Sequence, residues 1–245
     1  PWLIVYKSGP DAHPWISEEE RQFILTGQRN KDVDDVADYA PGSGEILSRK
    51  ESWGVIMASF FLDPIWWLFV GWLPLYLNET YGFGVEEIAT YAAVPYIGAM
   101  FGAWFGGLLA QNRIQAGWTV NRTRKFVIGL GGAIMLVSLL ATTQAATPLI
   151  AVLLMAAILF GFQTAVGNIQ TLPSDFYSGN SVGTLAGYAG TAAKLAVVGL
   201  NFLIPIITVD SYAPAFVVGA GLAIMTVLSV LVLCPEIKPL KPKSA

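Results

Sequence analysis

Asp63 and Lys194 each stand alone, as charged residues, inside a long apolar stretch of this 245-residue chain. A charged side chain at the middle of a bilayer-spanning helix costs about 2.5–3.5 kcal/mol on insertion scales, so it must face protein or water. Asp63 comes ten residues after Trp53, and Lys194 ten residues after Thr184. With about 1.5 Å of rise per residue, both sit about 15 Å from the start of their stretches, near mid-depth. A carboxylate and an ammonium at matched depth, on segments that run in the same direction, make a structural ion pair. The same two groups also make a proton-titrating acid and a cation that holds a substrate anion. These two roles are compatible, and the residues leave both open.

Uncharged polar groups gather in another apolar stretch: Gln163, Thr164, Asn168 and Gln170, with Asp175 just beyond. Gln163 and Gln170 are seven residues apart and share a helix face, whereas Asn168 falls off that line. Carboxamides at membrane depth suit the recognition of hydroxyl groups, and they serve equally as hydrogen-bonding links between helices. Thr191 and Asn201 are the polar neighbours of Lys194 along its own stretch.

The elements that must position these side chains follow from composition. The chain is 54% hydrophobic and 13% charged, about half the charge of an ordinary soluble domain. Six apolar stretches, at about 53–77, 88–110, 126–144, 149–171, 184–208 and 213–234, come close to the roughly 20 residues a helix needs to cross a bilayer. They are continuous rather than alternating, and an open sheet edge in lipid would strand backbone polar groups. The expected fold is therefore an all-α membrane protein, a bundle of six transmembrane helices with the lipid bilayer as its solvent. Gly98, Gly102 and Gly106 recur every four residues and predict a smooth strip where another helix packs closely. Pro74, Pro95 and Pro205 are candidate kinks. The 126–144 and 213–234 spans carry no acidic or basic residue and are expected to face lipid or neighbouring helices rather than a water-filled path.

Thirteen of the 14 Lys and Arg residues lie before the first span, between the second and third, or after the sixth. The positive-inside rule then puts residues 7–52, the 111–125 loop and the 235–245 tail on the cytoplasmic side, with both ends of the chain cytoplasmic. Pro1–Tyr6 reads as the end of a preceding transmembrane helix, so the chain is expected to be a piece of a longer protein. Ser17 and Glu20 form a capping-box pair that predicts a short helix over 17–26. Residues 29–52, broken by Pro41-Gly42-Ser43-Gly44, have linker composition.

Several function classes are excluded. A net charge of −3 with no basic stripe gives nucleic acid no footprint. A single cysteine, Cys234, and a single histidine, His13, supply neither a disulfide framework nor a zinc site built from several such ligands. In Gly187–Lys194 an alanine precedes the lysine where a phosphate-binding loop needs glycine. No cofactor, metal or catalytic constellation is expected.

Four passages resemble the anion:cation symporter family of the major facilitator superfamily, and most of all its hexuronate transporters. His13-Pro14 with Ile16-Ser17-Glu18-Glu19-Glu20-Arg21 is similar to that family's central cytoplasmic loop. Asp63-Pro64-Ile65-Trp66-Trp67, followed by Trp72-Leu73-Pro74 and Tyr76-Leu77, resembles its seventh helix. Gly106-Gly107-Leu108-Leu109 through Arg113, with Gly117 to Lys125, resembles the loop between helices eight and nine. Leu172-Pro173-Ser174-Asp175-Phe176 with Val182-Gly183 and Ala186-Gly187 resembles the connection between helices ten and eleven. Lys194 departs from the family pattern, which has small or polar residues there.

The resemblance implies the second six-helix half of a transporter in the cell (inner) membrane, working by alternating access with a missing N-terminal six-helix half. It implies a small anionic substrate, a sugar acid or related organic anion, carried together with a proton. Sodium coupling, another organic anion, or a sensor without flux are the alternatives. Lys194 is expected to offset substrate carboxylate charge, and Gln163 and Gln170 to donate to hydroxyls, with Asn168 and Thr191 nearby. Trp66 or Trp67 would stack on the sugar face, and Asp63 would titrate or pair with Lys194.

Overall fold

The computed structural model describes residues 13–33 and 39–242, all of them helix, turn or coil with no strand. The expected helix end at Pro1–Tyr6 lies outside the described residues. Among the described residues ten helices follow one another: α1 Glu18–Val33, α2 Ser43–Leu47, α3 Lys50–Tyr81, α4 Val85–Tyr91, α5 Ala93–Gln115, α6 Val120–Thr142, α7 Pro148–Gln170, α8 Leu172–Phe176, α9 Gly179–Ile207 and α10 Ala213–Leu233. Six segments among the described residues are long and apolar enough to cross a membrane: α3, α4 with α5, α6, α7 with α8, α9 and α10.

Helix ends follow local chemistry. Ser17 Oγ accepts from Glu20 N at 3.2 Å while Ser17 N donates to Glu20 Oε2 at 3.2 Å, a reciprocal cap at the start of α1. That helix continues to Val33, past the 17–26 range that the apolar residues suggest. α3 runs from Lys50 to Tyr81, longer than the 53–77 apolar stretch, because nothing stops it before Gly82. Gly82 has φ 70°, and its N donates to Asn78 O at 2.9 Å while Phe83 N reaches Leu77 O at 3.4 Å. Left-handed backbone favours glycine, and the two bonds satisfy the last carbonyls of the helix. Pro64 and Pro74 lie inside α3 and Pro205 inside α9. Pro95 behaves differently from the expected kink: the helix breaks at Ala92, and Pro95 falls in the first turn of α5, where its missing N–H removes no intrahelical bond.

α5 packs on α7, α7 on α6, α6 on α10, α10 on α3 and α3 on α9, while α3 also meets α7. α3 and α7 are the most buried spans, and α5 and α9 flank them as the least buried. One side of the bundle is thus formed by α9, α3, α7 and α5, and α6 and α10 lie behind. Leu62, Ile65, Phe69, Met135, Leu139 and Ile158 are fully enclosed between these layers. The glycine strip is used as the spacing predicts. A Cβ at Gly98, Gly102 or Gly106 would lie 2.4, 2.2 or 2.7 Å from the carbonyl oxygens of Ala156, Phe160 and Thr164 on α7.

Residues 39–52, assigned to linker on composition, are tied to the basic end of the bundle. Arg49 donates to Lys241 O at 2.6 Å and to Tyr39 Oη at 2.7 Å, and Tyr39 donates to Glu45. Ser181 Oγ donates to Pro41 O at 2.7 Å, and Lys125 Nζ to Pro235 O at 2.6 Å. The 39–49 segment, the start of α9 and the 235–242 tail therefore cover one end of the helices together.

Candidate functional site

α3 and α9 both run outward from the basic end. Asp63 is 13 residues past Lys50 and Lys194 is 15 past Gly179, so both rise about 20 Å or slightly more along their helices. There the Lys194 ammonium meets the Asp63 carboxylate, Nζ to Oδ2, at 2.5 Å. The same nitrogen lies 5.3 Å from the centroid of the Trp67 ring. Trp67 follows Asp63 by four residues, one helical turn, so the two project from the same face of α3. Lys194 is thereby held between a carboxylate and an aromatic face, the two partners best able to attract a cation away from water.

The pair is reachable. The Lys194 side chain is 61% exposed and that of Asp63 25%. Both border a hollow of about 410 Å³ among α3, α7 and α9, whose other polar lining is Ser59 and Gln170, with Gly190 beside Lys194. Each helix contributes one stripe, for example Ser59 and Asp63 four apart on α3 and Gly190 and Lys194 four apart on α9. The Lys194 ammonium at this opening is already paired with Asp63.

The other expected residues fall in distinct places. Gln170 lines this hollow. Gln163 lines a second hollow of about 550 Å³, with Gln111, Gln115 and Arg124; Val166 and Gln170 border both. Thr191 borders a shallow depression beside Lys194, and its hydroxyl donates to Gly187 O at 2.9 Å. Trp66 turns the other way, its ring centroid 5.9 Å from that of Tyr96 and 5.4 Å from that of Phe162. Asn168 is buried and engaged: its Oδ1 accepts from Arg124 at 2.9 Å, and its Nδ2 donates to Thr164 O at 3.3 Å. Trp66 and Asn168 thus lie outside the group around Lys194. Asn201 donates to Val197 O and accepts from Trp72, two turns further out than Lys194.

Sequence reasoning passed over two features. Arg124 pairs with Asp175 at 2.9 Å while also donating to Asn168, joining the start of α6, the end of α7 and α8. Asp175 stands just beyond a span and Arg124 in the basic loop before α6 begins its apolar run, and nothing in either residue's type or spacing names the other as its partner. Ser59, one turn before Asp63, shares the functional face of α3 by the same spacing that selects Trp67.

Residues 2–200 match the Major Facilitator Superfamily profile. The chain is 33% identical to the hexuronate transporter of Escherichia coli strain K12 over 197 residues, 80% of this chain and 45% of that protein. It is 33% identical to the galacturonate transporter of Dickeya chrysanthemi over 144 residues, 55% of this chain and 39% of the relative. It is 26% identical to a probable sulfoacetate transporter of Cupriavidus necator over 243 residues, 96% of this chain and 55% of the relative. The chain belongs to the major facilitator superfamily. It is an integral membrane protein, similar to transporters of the hexuronate type, and spans about half the length of these relatives.

Proposed function

We propose that this chain forms one half of a secondary transporter for small organic anions, most closely sugar acids of the hexuronate kind, moved together with protons by alternating access. The observation that carries this reading is the placement of Lys194 at an open hollow, held by Asp63 and Trp67. In the relatives' names, hexuronate, galacturonate and sulfoacetate have the acidic group in common. A single ammonium at mid-depth suits that shared group, and Gln170 suits the hydroxyls that only the sugar acids carry.

In this reading the substrate anion enters between this half and an N-terminal six-helix half, where transporter repeats place their sites. A proton on Asp63 releases Lys194 to the substrate carboxylate. Trp67 offers its ring to the apolar face of the sugar, and Gln170 donates to a hydroxyl from α7, with Gln163 further along the same face. Return of the proton to the inner side restores the Asp63–Lys194 pair and expels the anion. The basic end faces the cytoplasm, and the membrane is the cell (inner) membrane.

The test is uptake of glucuronate, galacturonate and gluconate by the full-length protein in proteoliposomes under an imposed pH gradient. Accumulation of the two uronates driven by an acidic exterior supports the reading. Accumulation driven by a sodium gradient alone would shift the coupling ion, and absence of flux with retained binding would make the protein a sensor.

A further inference from the structure

The basic end of the bundle holds an arrangement that transport does not use. Of the four cations at the end of α5 and the start of α6, Arg124 is spent on Asp175 and Lys125 on the carbonyl of Pro235. The other two, Arg113 and Arg122, form no ion pair among the described residues. Instead both address one ring. The Arg122 guanidinium carbon lies 4.0 Å from the centroid of the Trp118 indole, and that of Arg113 lies 5.0 Å from it and 5.7 Å from the Phe126 ring.

This geometry is built by the local fold. Gly117, with φ 86°, turns the chain at the end of α5, and Trp118 N donates to Arg113 O at 3.0 Å. Thr119 caps α6 by accepting from Arg122 N at 3.3 Å. The turn thus fixes Arg113, Trp118 and Arg122 relative to one another. Two like charges brought to one ring with no carboxylate between them repel, and an anion placed there relieves the repulsion. Around them Ile114, Val120 and Phe126 are exposed apolar side chains. A tryptophan with basic residues above and apolar residues beside it is the composition of a membrane–water boundary.

We propose that Arg113, Trp118 and Arg122 bind the phosphate of an anionic phospholipid headgroup, with Ile114, Val120 and Phe126 against its acyl chains. Guanidinium groups match phosphate geometry and hold it while stacked on an aromatic ring. Basic clusters at the end of transmembrane helices attract anionic lipid, each arginine strengthening binding about fivefold. The site is independent of the cargo and of the pair at Asp63 and Lys194.

The experiment is native mass spectrometry of the full-length protein in detergent with equal amounts of dioleoylphosphatidylglycerol and dioleoylphosphatidylcholine. The wild type is expected to retain phosphatidylglycerol preferentially. Arg113→Gln with Arg122→Gln is expected to weaken that retention about 30-fold, while Lys238→Gln, an exposed cation paired with Glu236 at the same end, leaves it unchanged. Equal retention of both lipids by the wild type, or an equal loss in Lys238→Gln, overturns the proposal. Displacement of the lipid by millimolar inorganic phosphate would also overturn it, showing a free-anion site. Circular dichroism monitors the fold; should the double variant unfold, Arg113→Gln and Arg122→Gln singly carry the same test.

Discussion

Asp63 and Trp67, one turn apart on α3, grip the same Lys194 ammonium from α9, the carboxylate at 2.5 Å and the ring centroid at 5.3 Å. The two partners differ in kind, one charged and one aromatic, and the proposed coupling rests on that difference: loss of the carboxylate charge would release the ammonium to an anion while the ring stays in place.

Asp63→Asn keeps the shape of the side chain and makes it permanently neutral. In the full-length protein it is expected to flatten the dependence of uptake on external pH while leaving exchange of substrate across the membrane intact. Counterflow and gradient-driven uptake, compared between pH 5.5 and 8, measure the two separately; an unaltered pH profile would remove Asp63 from coupling.

Arg124, Asp175 and Asn168 should matter for stability. The side chains of Arg124 and Asp175 are only 16% and 17% exposed, and removing one partner strands the other charge. Arg124→Gln is expected to destabilise by about 3 kcal/mol, and Asn168→Ala by about 1 kcal/mol. A thermal-shift series in detergent reads the order, with Arg124→Gln below Asn168→Ala in melting temperature.

The glycine strip gives a contrast of sign. Gly102→Ala places a methyl group 2.2 Å from Phe160 O, and forcing α5 off α7 is expected to cost about 1–3 kcal/mol or more. Gly199→Ala on α9 meets nothing within 4 Å and should stabilise by about 0.4–1 kcal/mol through the unfolded chain. Melting temperatures of the two variants moving the same way would contradict the packing described.

Cys234 is fully buried where α10 ends, against Gly54 of α3. Burial, with the nearby Glu51 carboxylate adding to it, pushes its thiol up to about 12 from an ordinary 9.0. The folded-state value lies above the unfolded one, so this group's stabilising contribution is complete below about 9 and is lost as pH rises toward about 12. Maleimide labelling of the Cys234 peptide, read by mass, should be negligible at pH 8 in the folded protein and complete after denaturation.

Much of this architecture is legible in the sequence because apolar runs of bilayer length leave a helix few alternatives. The match of Asp63 with Lys194 is legible for a related reason: equal depth on parallel spans leaves each charge one affordable partner. Trp66 and Trp67 could not be separated, since adjacent helical residues diverge by about 100° and only the position of Lys194 selects Trp67. Asn168 carried no sign of Arg124, which lies 44 residues away in sequence. The order in residues 39–52 was hidden because its bonds end on the carbonyls of Lys241 and Pro41. Every residue has a carbonyl, so such contacts leave no mark in residue type.

The most direct measurement is galacturonate uptake by the full-length protein carrying Lys194→Ala, with Lys194→Arg alongside it. Loss of one charge-assisted contact predicts a fall in kcat/KM of about 10- to 150-fold, carried mainly by KM, with partial recovery in Lys194→Arg. Uptake by Lys194→Ala at the wild-type rate and affinity would contradict the assignment of this ammonium to the substrate.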